Sequence, residues 1–268
     1  MAKRLVCLKL GGSLITDKAK PMEAKLNVIE TLANQIATAL KKDPDLQIII
    51  GNGAGSFGHY AVITHHMQNG LNEPGKNMGY ALVQQAVAKL NRCIVDALLK
   101  AGVPAVSYQP SATLLGKDGA IKNFPLEFLE EALAHNIIPV MYGDIIFDKE
   151  KGSMIASTEL LIGAAAAALT KKGYKIHKVI HNGVTQGVLD AKQNVISRIT
   201  RKNLEDVKKL IYATDGFDVT GGMLHKIEES LVLADQGIPS MIINGVSEKD
   251  LLMKALLDKE VKGTRITA

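Results

Sequence analysis

Short apolar runs alternate with amphipathic stretches almost from end to end of the chain, and that alternation constrains the fold more than any other feature. Runs of strand length lie at residues 5–10, 47–51, 105–108, 137–142, 178–181, 240–243 and 264–267. Between them, apolar positions recur at helical spacing over 28–41, 80–101, 126–135, 159–171, 202–210, 223–236 and 249–257. Strands separated by helices return through right-handed crossovers, which makes them parallel neighbours in a sheet covered on both faces. The expected class is α/β with a mostly parallel open sheet. Residues 145–148, followed by Lys149, Glu150, Lys151 and Gly152, add the pattern of a small hairpin. No linker-like or repeated segment divides the chain, so one domain over 1–268 is expected.

Composition narrows the partners. The chain has no Trp and only 4% aromatic residues, which argues against a base-stacking nucleic-acid surface. The net charge of +5 is spread in pairs such as Lys41-Lys42, Lys171-Lys172 and Lys208-Lys209, which read as solvated helix ends and faces. A small anionic substrate accounts for the surplus as well as RNA or lipid does. Cys7 and Cys93 show no metal-ligand spacing and fall in apolar patterns, as reduced core residues. No apolar stretch reaches the 18 residues of a membrane span, and the first residues run straight into a strand; a cytoplasmic protein is expected.

Ligands of open α/β sheets gather beyond the carboxyl ends of the strands, and four glycine-bearing motifs sit at strand ends or helix starts. Lys9 lies inside the first apolar run, where a charge is costly unless its end reaches an anion or the sheet edge. Gly11, Gly12 and Ser13 follow at once with backbone amides and a hydroxyl, and Lys18 adds a cation; the plain alternative is a tight turn. This is neither a Walker A sequence nor a dinucleotide fingerprint. In the second motif, Gly51, Gly53, Gly55 and Gly58 crowd a segment that His59 closes. Each glycine costs entropy to order, so their density reads as a backbone cradle for an oxyanion. His65 and His66 lack that context and read as surface residues. The third motif ends in Gly143-Asp144, where Asp144 either orients a lysine or substrate hydroxyl or is a turn aspartate. Beyond it, Ser157-Thr158-Glu159 supplies an N-cap hydroxyl and a first-turn acid to an Ala-rich helix. In the fourth, Gly221-Gly222 opens a helix carrying Lys226, a lysine at odds with the positive helix N-terminus unless a phosphate lies near.

In this order the motifs resemble the amino acid kinase superfamily, and within it the isopentenyl phosphate kinase group that also holds the fosfomycin kinases. The matching segments are Lys-Leu-Gly-Gly-Ser-Leu-Ile-Thr-Asp-Lys at 9–18, Gly-Ser-Phe-Gly-His at 55–59, Tyr-Gly-Asp-Ile-Ile-Phe-Asp at 142–148, Asp-Val-Thr-Gly-Gly-Met at 218–223 and Gly-Thr-Arg-Ile at 263–266. The resemblance implies a three-layer αβα sandwich, a homodimer, acceptor binding toward the N-terminal half and ATP with Mg²⁺ toward the C-terminal half. It implies that Lys9 bridges the transferring phosphoryl group and that Lys18 steadies the nucleotide phosphates, with Gly11, Gly12, Ser13, Gly221, Gly222 and Lys226 on the nucleotide side. His59 and the backbone of Gly53, Ala54 and Gly55 are implied to hold the acceptor's phosphate, with Asp144 and Ser157 also on the acceptor side. No side chain is expected as a metal ligand. Phosphoryl transfer needs positioning and charge neutralisation rather than a covalent nucleophile, and the leading reaction implied is isopentenyl phosphate to isopentenyl diphosphate.

Two segments depart from that group. Where it has Ile-Ser-Gly-Asp-Asp, this chain has Ile155-Ala156-Ser157-Thr158-Glu159, which puts Glu159 where an acid organises the catalytic lysines. Where the family's nucleotide loop reads Thr-Asp-Val-Asp-Gly-Val-Tyr, residues 182–189 lack both acids and carry one apparent insertion. The first departure leaves room for another anionic acceptor (a phosphonate, a phosphorylated alcohol or a carboxylate), and the second for a weakly catalytic anion sensor. Met67, Met78 and Tyr80, in the helical hairpin around 60–100, either touch a hydrophobic tail or serve the core or a dimer contact.

Overall fold

The side chains of a strand alternate between faces, and in the first apolar run this decides which helix each residue meets. The computed structural model describes residues 3–212 and 220–268. Its first strand, β1 (Arg4–Leu10), sends Val6, Leu8 and Leu10 to one side of the sheet and Leu5 and Cys7 to the other. Lys9 continues the second set. The chain goes on through the single turn α1 (Gly12–Ile15), α2 (Leu26–Lys42), β2 (Leu46–Asn52), α3 (Gly55–Thr64), α4 (Asn77–Lys100), β3 (Ala105–Ser107) and the single turn α5 (Pro110–Thr113). Next come β4 (Gly116–Lys117), β5 (Ala120–Ile121), α6 (Glu127–Ala134), β6 (Ile138–Tyr142), β7 (Asp144–Asp148), β8 (Gly152–Ala156) and α7 (Thr158–Lys171). The second half comprises β9 (Ile176–Asn182), β10 (Arg198–Ile199), α8 (Leu204–Tyr212), α9 (Thr220–Asp235), β11 (Ser240–Ile243), α10 (Leu251–Leu256) and β12 (Thr264–Ile266).

The main sheet runs β10-β12-β11-β9-β1-β2-β6-β3, and only the β11–β12 pairing is antiparallel. β1 sits between β9 and β2, with first-half strands on one flank and second-half strands on the other. That reversal makes the carboxyl end of β1 the switch point where such sheets hold ligands. Ile29, Leu32 and Ile36 of α2, Leu90 and Ile94 of α4, and Leu252 and Leu256 of α10 cover one face. Leu129 and Leu133 of α6 with Leu161, Ala165 and Leu169 of α7 cover the other. The result is the expected αβα sandwich. No helix among the described residues is long and apolar enough to cross a membrane.

The strands and helices expected from periodicity are all present, with ends moved by a few residues. The hairpin at residues 145–152 is also there as β7–β8, but it belongs to a second small sheet, β5-β4-β7-β8, whose two-residue strands are too short to leave a pattern. Asp148 ties that sheet together by accepting from the amides of Asp118, Gly119, Glu150 and Lys151 at 2.8–3.2 Å. The glycine segment departs from a plain loop. Gly55, at φ +52°, turns the chain directly into α3, so only Gly53 and Ala54 separate strand from helix.

Candidate active site

Lys9 is 7% exposed, and its Nζ donates to Glu159 Oε1 at 2.6 Å. The alternation of β1 carries the lysine to the face that α7 covers, and the start of α7 presents the glutamate there. A carboxylate in the first turn also suits the helix dipole. Burial pushes the Glu159 carboxyl up, but Lys9, through charge and hydrogen bond, and then Lys226 outweigh it and hold the group at about 2. Lys226, on α9, has its ammonium pushed down by burial and by Lys9, against the opposing pull of Glu159 and Glu229. His181 completes the cluster. It pairs in register with Lys9 across β9 and β1, is 5% exposed, and lies 3.3 Å through Nε2 from Ser230 Oγ. Burial first, then Lys9 and Lys226, push its imidazole down to about 3, so it is neutral.

The glycine motifs meet backbone to backbone above this cluster. A Cβ on Gly12 would stand 2.4 Å from Gly55 N, and one on Gly53 would stand 2.6 Å from Gly12 N. Thr16 locks the two loops together: its hydroxyl donates to Gly12 O at 2.8 Å and accepts from Ser56 N at 3.0 Å. Gly11 N and Gly53 N are spent on Asn182 O and Leu10 O, both at 2.8 Å. The cradle is thus narrower than the sequence implied: Gly12, Ser13, Ala54 and Gly55 have the amides without a protein partner among the described residues, while Gly11 and Gly53 serve to join the loops.

Beside the cradle opens a cavity of about 350 Å³. Gly53, Ala54, Gly55, His59, Asp144, Ser157 and Glu159 line it, so every acceptor-side residue expected from sequence converges here. Its apolar wall consists of Val62, Val83, Val87 and Ile155. Met67, Met78 and Tyr80 are elsewhere: Met67 is buried under Gly79, Met78 is exposed, and Tyr80 stacks on Phe147 with ring centroids 4.7 Å apart. Asp144 has no lysine partner among the described residues. It accepts from the amides of Ser111 and Ile145 at 2.9 Å, and burial, opposed by those bonds, pushes it up to about 6. Ser157 is the N-cap of α7, its Oγ accepting from Leu160 N at 3.1 Å.

Other expected residues are less engaged. Lys18 lies on an exposed turn, outside the cavity's lining and without an ion pair among the described residues. The backbone of Gly221 and Gly222 opens α9, and a Cβ on Gly222 would meet nothing within 4 Å among the described residues. Asp218 and Val219 lie outside the described residues. His181 and Thr16 were not singled out in the sequence. His181 carries the signal that Lys9 does, a titratable residue inside an apolar strand. In the divergent nucleotide segment, Asn182 Oδ1 accepts from Gly245 N at 2.6 Å, so this side chain ties the end of β9 to the loop after β11. Gly187 N-terminal to Val188 packs on Thr264, whose hydroxyl accepts from Val188 N at 2.7 Å.

The model of the amino acid kinase family matches residues 4–244. The chain belongs to the amino acid kinase family. This amino acid kinase is 35% identical to the isopentenyl phosphate kinase of Methanothermobacter thermautotrophicus, over 98% of its own length and 99% of that protein. It is 31% identical to the isopentenyl phosphate kinase of Methanocaldococcus jannaschii, covering 98% of each. Its fold is similar to an X-ray structure of isopentenyl phosphate kinase, with a TM-score of 0.80 and 31% identity over 98% of this chain and all of that one.

Proposed function

We propose that this amino acid kinase transfers the terminal phosphoryl group of ATP to isopentenyl phosphate, giving isopentenyl diphosphate and ADP. The observation that carries the reading is the junction of two surfaces at the switch point: the Lys9–Glu159–Lys226 cluster, and a cavity whose phosphate-binding rim of His59 and free amides continues into an apolar wall of Val62, Val83, Val87 and Ile155. A branched hydrocarbon tail suits that wall better than a carboxylate acceptor does. Two kinases with full-length similarity to this chain, both over 30% identical, are named for the same reaction.

In this reading the amides of Ala54 and Gly55 and the ring of His59 bind the acceptor's phosphate, while Lys9 and Lys226 neutralise charge on the transferring group. Glu159 fixes the direction of Lys9. The amides of Gly12 and Ser13, with Gly221, Gly222 and Lys18, face the nucleotide, so one domain divides into an acceptor half and a nucleotide half. Among the described residues no group of three or more His, Cys, Asp or Glu side chains is placed to hold a metal. Mg²⁺ would enter with ATP and would supply charge neutralisation at its phosphates. A cytoplasmic homodimer is the assembly this reading carries. Incubating the purified chain with ATP, Mg²⁺ and isopentenyl phosphate should yield isopentenyl diphosphate and ADP in equal amounts; absence of product at high enzyme concentration would defeat the substrate assignment.

A further inference from the structure

The amino-terminal end of the sheet's strands carries a second concentration of positive charge. At the amino ends of β9 and β11, His177, Lys178 and Ser240 meet Arg265 of the antiparallel β12 and Thr267 just beyond it, and with Asp258 and Lys259 they line a cavity of about 310 Å³. Arg4, at the start of β1, joins this cluster and is five residues from Lys9, so about 17 Å of strand separates it from the reaction centre. The cleft and the proposed active site therefore lie at opposite ends of the same strands.

The charges in and around the cleft do not balance. Asp258 is paired with Arg4, Lys178 and His177, the last at 2.9 Å, and Asp43 takes a second bond from Arg4. Those contacts use up both carboxylates. Lys259 and Arg265 are exposed on the cavity wall and make no ion pair among the described residues. Arg198 adds a further guanidinium, donating to Thr267 Oγ1 at 3.2 Å. Lys178, with only 12% of its side chain exposed, has its ammonium pushed down by burial, and Arg4 and Arg265 add to this against the pull of Asp258. A structural staple needs Arg4, Lys178 and Asp258 alone. It gives no reason for Lys259 and Arg265 to line a concave space without a matching acid. Guanidinium and ammonium donors converging on a cavity are the chemistry that recognises phosphate. The volume admits a diphosphate with a small organic group.

We propose that this cleft is a second anion site, taking the phosphate or diphosphate group of a small ligand at the end of the sheet remote from phosphoryl transfer.

The test is isothermal titration with pyrophosphate at fixed ionic strength, on the wild-type chain, a Lys259→Ala/Arg265→Ala variant and a Lys226→Ala variant. Both residues of the first variant are exposed and unpaired, so their removal leaves no carboxylate without its cation. Binding of two pyrophosphates per chain is expected. The cleft variant should weaken one of them by about tenfold or more while kcat/KM without added anion stays within about twofold. The Lys226→Ala variant should weaken only the other site. A single site that disappears with Lys226→Ala, or titrations unchanged in the cleft variant, overturns the proposal. Repeating the titration with inorganic phosphate and with isopentenyl diphosphate identifies the source, and a preference for either that is lost in the cleft variant supports the site.

Discussion

Lys9 and His181 stand side by side on adjacent parallel strands, and both look toward the face that α7 and α9 cover. The ring beside the lysine is neutral, because burial and the neighbouring ammonium groups oppose its protonation. It is thus an uncharged, buried neighbour of Lys9 that adds no positive charge to the Lys9–Glu159 pair.

A pH signature follows from that placement. The folded value of about 3 lies below the ordinary 6.5 of histidine, so the unfolded chain binds the extra proton first. The contribution of His181 to stability is therefore complete above about pH 6.5 and is lost as pH falls toward 3. Thermal melts of wild type and His181→Gln between pH 7.5 and 4.5 should show the wild type losing more of its Tm on acidification. Parallel pH profiles would show that the ring is not buried as a neutral group.

The Lys9–Glu159 pair makes a kinetic prediction. Lys9→Met should lower kcat about 100- to 1000-fold, the usual loss when one donor to a developing charge is removed. Glu159→Asp keeps the charge but shortens the reach of a contact now at 2.6 Å. It should lower kcat about 10- to 100-fold with a smaller change in KM. Steady-state kinetics with both substrates varied would check this, and an unchanged kcat for Glu159→Asp would separate the glutamate from Lys9 positioning.

Much of this was legible in the sequence because the information is local. A continuous apolar run over residues 5–10 marks a buried strand, and a lysine near its end needs an anion wherever the strand sits. The cavity's polar lining was also legible, since glycines, His59 and Asp144 follow strand ends one after another. What could not be read depends on register. His181 becomes a neighbour of Lys9 only when β9 pairs with β1, and Val62, Val83 and Val87 form one wall only when α3 and α4 pack. The close approach of Gly12 to Gly55 likewise exists only in three dimensions, so glycines that read as phosphate contacts also turn out to be packing contacts.

That double role separates the glycines experimentally. Gly12→Ala places a methyl 2.4 Å from backbone that cannot swing aside, and Gly55→Ala adds a left-handed φ to a 2.3 Å approach to Thr16 Oγ1. Each should cost about 2 kcal/mol or more. In the first turn of α9 a Cβ on Gly222 would meet nothing within 4 Å among the described residues, so Gly222→Ala should be neutral or stabilise by up to about 1 kcal/mol. Chemical denaturation distinguishes these outcomes. A raised KM for ATP in Gly222→Ala, with stability unchanged, would mark close approach of the nucleotide there.

His59 is exposed on α3 at the cavity's rim and holds no protein partner among the described residues, so its removal should leave the fold intact. His59→Ala is expected to raise KM for isopentenyl phosphate about 10- to 100-fold, the loss of one hydrogen bond to a charged group, with Tm unchanged. An equal rise in KM for ATP would move the histidine to the nucleotide side.

Asp144 behaves in the opposite sense to His181. Its folded value of about 6 exceeds the ordinary 3.8, because burial disfavours the carboxylate more than the amides of Ser111 and Ile145 favour it. The folded protein therefore holds this proton more tightly than the unfolded chain does. Its contribution to stability is present below about pH 3.8 and is lost as pH rises through 6. The gap of about 2 units corresponds to about 3 kcal/mol at most. An Asp144→Asn substitution removes the titration but also one acceptor, so the informative quantity is the slope rather than the offset. The Tm of wild type minus that of Asp144→Asn should be largest near pH 4 and shrink by pH 7. A bound acceptor phosphate, which adds negative charge beside the cavity's lining carboxyl, should move this transition to still higher pH. If the difference in Tm stays flat from pH 4 to 7, Asp144 ionises as freely in the fold as outside it, and its place in the cavity is that of a turn cap alone.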